Sequence, residues 1–429
     1  MLIARISLAQ NNALSLNDAV KIAVAGRYEL KIQKINSEIA NKQFTEVTTR
    51  SFPQISSDLD VRYNSKLQSN ILPGSVFGTP DSPGRVVRFG TTYNSLWGFN
   101  ITQNIFNPGN FSDRKISKLQ TEFQKQNEVL TETNIKQEVS EAYIGVLLWK
   151  ESVKLSEENV KRAEEVFGVY KNLSGMGQAT DYDVQRNKID LENAIAANEK
   201  NKKSYELSYH DLLYKISNDS IKIPVLTDSI TGLMEQFKII PSGNEQIKRA
   251  ELSQENIQLD IYNQNIRKQR MAMIPTVSLY GNYSFQYMNN SFSPFGSANW
   301  YPFNYLGAKV SIPILDGGLK ARTRQEFELR AQASEYQYNK LQNDYKQETL
   351  NALTTLQNAL IDLNYQKSNL ALIEDLYKTD TDRFKNGTIK QSDLTTTFYT
   401  LQQTQNNYLN SVYNYLIAVI RYKKAVGSL

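Results

Sequence analysis

The sequence predicts a membrane α+β protein built as an internal tandem repeat, and three observations predict it. First, two landmarks recur. Gly98-Phe99-Asn100-Ile101 running to Asn107-Pro108-Gly109 matches Gly307-Ala308-Lys309-Val310 running to Asp316-Gly317-Gly318, displaced by 209 positions (98 to 307). The segment from Gly177 to Val184 matches that from Gly387 to Leu394, displaced by 210 (177 to 387). Second, the residues around the first landmark alternate apolar and polar with a period of two, as half-exposed strands do. Third, each landmark is followed by a very long helical pattern with apolar steps of three and four, the spacing of a seam between supercoiled helices. The length between landmarks changes by one residue between copies. A repeat held that tightly behaves as a ruler.

Residues 1–15 are expected to be a signal remnant or a disordered N-terminus. Ser7-Leu8-Ala9 before Gln10 suits signal-peptidase cleavage, but the apolar run is short and Arg5 breaks it. Repeat 1 covers 16–217. It opens with a helix from Leu16 to about Arg50, stopped by Pro53. A β-hairpin follows at about 54–106. Ile55, Leu59, Val61 and Tyr63 share one face of its first strand, and Trp97, Phe99, Ile101 and Ile105 one face of its second. A Gly/Pro/Ser/Asn-rich loop, 64–92, joins them. A helical hairpin completes the repeat, its first arm about 110–174 and its tip about 175–180. At 1.5 Å per residue that arm is on the order of 100 Å long, which requires coiled-coil partners.

Residues 218–244 read as a connector between the copies. Repeat 2, 245–429, restates the order: a helix ending near Pro275, a β-hairpin at about 276–315, and a long helical hairpin with its tip at about 386–391. Val277, Leu279, Tyr283, Phe285 and Tyr287 share one strand face, and Leu306, Ala308, Val310 and Ile312 another. In the last helix Leu394, Phe398, Leu401, Gln405, Tyr408, Val412 and Tyr415 mark a core stripe.

Composition excludes several classes of chemistry. The 429 residues include no cysteine and one histidine, His210, so thiolate or histidine metal centres and thiol or histidine catalysis are not expected, and no cofactor is called. The net charge of +5 is dispersed along helices, which reads as solvated surface rather than a nucleic-acid footprint. Mean hydropathy is −0.50 and no apolar run approaches the length of a membrane-spanning helix. Strands of this alternation suit a lipid-facing, water-lined barrel, and equally a soluble sheet with one face on a core. Two points favour the membrane. Little sequence remains to cover four apolar faces, and Tyr93, Trp97, Phe295, Trp300, Tyr301, Phe303 and Tyr305 cluster at the loop ends, where an interfacial girdle would lie. Phe99, Ile101, Val277, Leu279, Val310 and Ile312 are then the lipid-facing positions. Four strands cannot close a barrel, which needs about eight, and open edges in lipid leave backbone groups unsatisfied. Two chains would give a tight barrel without a channel, and three would give twelve strands and a pore. An elongated, soluble coiled-coil scaffold is the rival reading.

From about Leu16 to Gly427 the chain resembles the TolC-type outer-membrane efflux proteins. Gly307 to Gly318 is similar to that family's strand-to-helix segment with its D/N-G-G turn. Arg383-Phe384-Lys385-Asn386-Gly387 through Asp393-Leu394 is similar to its aromatic-x-x-Gly turn followed by Leu-Asp-(Val/Leu). The resemblance implies a homotrimer with a 12-stranded barrel, four strands per chain, in the outer membrane of a Gram-negative bacterium. It also implies a long periplasmic α-helical barrel with an equatorial belt at 218–244. Such a protein is a non-enzymatic exit duct, met by a periplasmic adaptor (membrane fusion) protein and an inner-membrane transporter. Gly177 and Gly387 would be the adaptor-contact tips. Asp393 matches an acidic ring at the narrow entrance, where three carboxylates would favour cations. Thr396 stands where well-known members carry a second acidic ring. Asp183 matches a latch residue that meets a tyrosine and a basic group. Here the aromatic is Phe384, without a hydroxyl, and the basic position falls on Ile389, with Lys390 beside it. Both aspartates could equally serve as helix caps. Arg114, Lys115, Lys320, Arg322 and Arg324 read as solvated helix or as phosphate contacts.

Overall fold

The structure, a computed structural model, describes residues 13–78, 81, 83–216, 225–237, 248–293, 295 and 300–429. In chain order the elements are β1 (Ala13–Leu14), α1 (Leu16–Gly26), α2 (Tyr28–Thr49), β2 (Gln54–Tyr63), β3 (Ser69–Leu72), β4 (Arg85–Arg88) and β5 (Tyr93–Phe106). Next come α3 (Pro108–Gly175), α4 (Asp181–Lys215), β6 (Val225–Leu226), α5 (Ile230–Gln236) and α6 (Ala250–Met271). The chain ends with β7 (Thr276–Asn289), β8 (Trp300–Ser311), α7 (Leu319–Lys385) and α8 (Gln391–Val426). Two compact units emerge. A helical unit holds Met1–Ser37, Phe123–Asn256 and Tyr336–Leu429, and a sheet unit holds Glu38–Glu122 and Ile257–Glu335.

In the helical unit the core takes in Val412 and Tyr415 of the expected stripe on the last helix and many residues beside it. Val139, Tyr143, Val146 and Leu147 of α3 are buried against Val412, Leu416, Val419 and Ile420 of α8 in one cluster. From Tyr415 to Ile420 every residue of α8 is buried, more than one stripe requires. The additional cover includes α5, whose Ile230 and Leu233 are buried, and Phe237, whose carbonyl accepts from the Tyr415 hydroxyl at 3.3 Å. Two expectations are corrected here. Residues 13–15 are ordered: β1 pairs in parallel with β6, Leu14 is buried, and the Ser15 hydroxyl caps α1 through Asp18 N–H. The helix read as continuous from 16 to 50 breaks at Arg27, whose ψ of 131° is extended. The Arg27 guanidinium then bridges Glu29 at 2.7 Å and Glu138 of α3 at 2.5 Å, so the break joins two helices. Of the connector 218–244, residues 225–237 form β6 and α5. Ile221-Lys222-Ile223-Pro224 and Pro241-Ser242-Gly243 lie outside the described residues.

In the sheet unit four antiparallel strands lie in the order β2-β5-β7-β8. β2 and β8 each pair on one side only among the described residues. Loop 64–92 is more structured than its composition suggests. β3 and β4 form a small antiparallel hairpin, with a 3-10 turn at Gly74–Phe77 between them. At the helix-bearing end the basic residues have local partners. Arg114 donates to Ser51 Oγ at 3.2 Å and to the Thr48 carbonyl at 3.4 Å, at the end of α2. Lys320 Nζ donates to the Ala272 carbonyl at 2.9 Å, just past α6. Cations beside final carbonyls satisfy acceptors the helix leaves open.

Candidate functional site

Both helical turns of the helical unit are built the same way. Gly177 and Gly387 adopt φ of 71° and 70°, the left-handed region that a side chain disfavours. Gln178 N–H donates to the Leu173 carbonyl at 2.8 Å, and Thr388 N–H to that of Arg383 at 2.9 Å. These bonds tie off α3 and α7 through a backbone motif that glycine permits.

The side chains that start the next helices differ. Thr180 and Asp183 form a reciprocal capping box on α4: Thr180 N–H donates to Asp183 Oδ2 at 3.1 Å, and Asp183 N–H to Thr180 Oγ1 at 3.2 Å. Hydrogen bonds from Thr180 hold the Asp183 carboxyl below its ordinary range. On α8 the cap residue is Lys390, which makes no side-chain cap bond. Asp393 sits in the first turn, with Ser392 Oγ 3.2 Å from its carboxylate. Thr396, one turn on, spends its hydroxyl on the Ser392 carbonyl at 2.7 Å. Phe384 stacks on Tyr170, with centroids 6.2 Å apart. Burial raises the Tyr170 hydroxyl above its ordinary range, and the Asp183 charge adds to the shift. A tyrosine therefore stands beside Phe384 and within the field of Asp183, supplied by α3 rather than by α7.

Two hydrogen bonds join α4 to α8, and sequence reading missed both. Gln391 Nε2 donates to Asn187 Oδ1 at 2.5 Å, while Asn187 Nδ2 donates to the Asp183 carbonyl at 2.7 Å. The Tyr399 hydroxyl donates to Asp190 Oδ1 at 2.6 Å; burial and that carboxylate push it up to about 12. On α8, Thr397 donates to the buried Asp380 of α7 at 2.7 Å. A cavity of about 30 Å³ lies among Arg162, Asn187, Asp190, Tyr377, Leu394 and Phe398. One signal was available. Asn187 is buried at helical spacing from Val184 and Leu191, and a polar residue on an apolar stripe asks for a partner. Its identity, some two hundred residues away, was not readable.

In the sheet, register assigns faces. The rows Ile55–Ile101–Gly281–Leu306 and Leu59–Trp97–Phe285–Pro302 lie on the apolar face. Phe99, Leu279, Val277 and Val310 are on that face too. Ile312 lies one residue past β8 and is exposed. A bulge between Asn104 and Phe106 takes Ile105 out of the alternation. The other face carries a polar ladder: Asn100 donates to Asp58 at 2.9 Å, Asn282 to Asn100 at 2.8 Å, and Ser284 to Asn282 at 2.7 Å. Register also corrects the aromatic girdle. Tyr301, Phe303 and Tyr305 pair with Gln286, Ser284 and Asn282 and so lie on the polar face, while Trp97 and Trp300 stay on the apolar one. Tyr280 covers the backbone of Gly307, where an added Cβ would sit 2.7 Å from its ring.

Among the described residues no helix is long and apolar enough to cross a membrane, and no group of acidic, histidine or cysteine side chains could hold a metal ion. A search of curated proteins returns no match. Solved structures do match. A structure of CusC, described in terms of folding and transmembrane channel formation, aligns at a TM-score of 0.75 with 14% identity, covering 96% of this chain and 91% of that one. The outer membrane protein VceC of Vibrio cholerae aligns at 0.72 with 15% identity, covering 96% of each chain. The open state of the Neisseria gonorrhoeae MtrE outer membrane channel aligns at 0.74 with 16% identity, covering 96% and 88%. At these identities the likeness is one of fold. The sequence profile described as "Outer membrane efflux protein" matches residues 19–213 and 243–428, most of the chain. The chain therefore belongs to the outer membrane efflux protein family: it is an efflux channel of the outer membrane with a periplasmic helical extension.

Proposed function

We propose that this chain is the passive outer-membrane exit duct of a tripartite efflux or secretion system. Three copies close a twelve-stranded barrel, and an adaptor and an inner-membrane transporter deliver cargo to the helical end. The observation that carries the reading is the four-stranded sheet, which is apolar along one face and, among the described residues, unpaired at both edges. In lipid each unsatisfied backbone group costs several kcal/mol. Because β2 and β8 run antiparallel in an alternating sheet, β8 of one copy can continue onto β2 of the next without reversing the pattern. On this reading the apolar face, with Phe99, Ile101, Val277, Leu279 and Val310, meets lipid. The Asp58–Asn100–Asn282 ladder faces water. Asp393 lines the helical entrance, with Lys390 and Thr396 close to it in sequence, and Asp183 and Phe384 belong to the same entrance. The Gln391–Asn187 and Tyr399–Asp190 bonds hold α4 to α8, and the Gly177 and Gly387 turns meet the adaptor.

The test is mass and conductance. Light scattering of the detergent-solubilised protein should give a protein mass near three times 49.0 kDa, and planar bilayers should show small cation-preferring currents. A detergent-free monomer would establish the scaffold reading instead.

A further inference from the structure

Three aromatic rings stand on the sheet face that carries the polar ladder. Tyr301, Phe303 and Tyr305 occupy alternate positions of β8, opposite Gln286, Ser284 and Asn282 of β7. They are 51%, 41% and 52% exposed. The next position in their row is Gly307, and the ring of Tyr280 from β7 lies over it. An added Cβ at Gly307 would sit 2.7 Å from that ring, so the glycine is what lets it lie there. Tyr280 also meets Tyr305 edge-on, with centroids 6.0 Å apart. Four rings therefore follow one another from 301 to 307, a ladder about 20 Å long at strand spacing.

Packing does not account for these rings. On the β7 side their neighbours are amides and a hydroxyl, engaged with one another or with β5: Ser284 donates to Asn282, Asn282 to Asn100, and Gln286 to Asn94 at 3.2 Å. On the free side of β8 the barrel reading sets β2 of the next copy. The residues of β2 on this face are Gln54, Ser56, Asp58, Asp60 and Arg62. All five are polar, so no register of that joint buries the rings against apolar side chains. The charge there is acidic. Asp60 pairs with Arg62, whereas among the described residues Asp58 makes no ion pair and accepts from Asn100 at 2.9 Å. Lys309, the cation in the β8 row, lies past Gly307 and so beyond the ladder.

We propose that this ladder is a stacking track for flat organic cations, along which such a solute passes from ring to ring through the barrel. The proposal deepens the exit-duct reading and rests on it, since closure of the barrel is what turns this face to the water-filled interior. Ring faces carry a negative quadrupole that attracts a cation held over them. A flat ring system also covers apolar area on them that a hydrated metal ion cannot. Asp58 adds the charge that separates cations from anions. Rings about 7 Å apart let a solute of several fused rings touch the next before it leaves the last.

The test is block of single-channel current in planar bilayers. Ethidium serves as the flat cation, tetraethylammonium as a cation without rings, pyrenesulfonate as a flat anion and maltotriose as an uncharged sugar. Ethidium should half-block wild-type channels at a concentration about tenfold below that of each other probe. Tyr301→Ser/Phe303→Ser/Tyr305→Ser should assemble at the wild-type mass and lose that advantage. If the triple variant fails to assemble, Phe303→Ser alone should raise the half-blocking concentration of ethidium about threefold. Tyr305→Phe should leave it where it is, because the ring and not the hydroxyl makes the contact. Asp58→Asn should raise it about threefold and leave maltotriose unaffected. Equal block by ethidium and tetraethylammonium, or ethidium block that survives loss of the rings, overturns the proposal while leaving the channel intact. Tighter block by pyrenesulfonate or maltotriose overturns the assignment to cations. A wild-type chain that forms no channel removes the barrel reading, and the proposal with it.

Discussion

The turn between α3 and α4 and the turn between α7 and α8 share a backbone and differ in what their carboxylates do. Each places a glycine at positive φ and returns an N–H to a carbonyl five residues back. At the first turn the carboxylate is committed: Asp183 completes a capping box with Thr180. At the second, Lys390 caps without its side chain, and Asp393 makes no cap bond. The caps-only reading of the two aspartates therefore fits the first and not the second. A repeated fold can keep one geometry while releasing one side chain for another task, and on the proposed function that task is lining the entrance.

The strongest way to break the comparison is at the glycines. Gly177→Val and Gly387→Val should each destabilise the turn by about 2 kcal/mol or more, since a β-branched residue is forced into the left-handed region. Hydrogen exchange of the flanking amides should report similar losses at both turns; a large effect at only one would show that the backbones are not equivalent. The caps come next. Thr180→Ala should cost about 1 kcal/mol, while Lys390→Asp should stabilise by a similar amount by supplying the missing acceptor. A neutral result at Lys390 would mean that Asp393 or another group already satisfies that end. Asp393→Asn should lower the cation-to-anion permeability ratio in bilayers by about half, with Asp183→Asn leaving it nearly unchanged. If the two variants behave alike, Asp393 has no special place at the entrance. The smallest effect is acid sensitivity. The folded-state pKa of Asp183 is depressed, so its contribution is complete above the unfolded value near 4 and is lost as pH falls through the lower folded value. Between wild type and Asp183→Asn, only the wild type should show this added loss below about pH 4 in thermal melts.

Much of the helical architecture was legible because periodicity over many residues averages out local exceptions. The arm expected at 110–174 runs from Pro108 to Gly175, and the second-copy arm, whose tip was expected at about 386, ends at Lys385. Strand faces were legible where alternation was regular, as at Val277 and Leu279. They failed where one residue shifts the phase, at the Ile105 bulge, and where aromatic identity outweighed parity, at Tyr301, Phe303 and Tyr305. The break at Arg27 was hidden because apolar spacing continues through it and the ion-pair partner Arg27 meets there, Glu138, is distant in sequence. The same remoteness concealed the Asn187–Gln391 and Asp190–Tyr399 pairs, since polar complementarity leaves no periodic trace. Asp183 and Asp393 were placed by likeness, and the difference between their caps was visible only in the geometry.

On the proposed function, the open edges of the four-stranded sheet make maturation a matter of encounter. Among the described residues a lone chain leaves one side of β2 and one side of β8 without a partner strand. Were three copies to close the barrel, folding of the sheet and meeting of copies would be one kinetic event, with a rate that rises with chain concentration. Until that event the same edges offer a template to any passing strand. Supply of chains, as much as the stability of any one of them, decides how much channel forms.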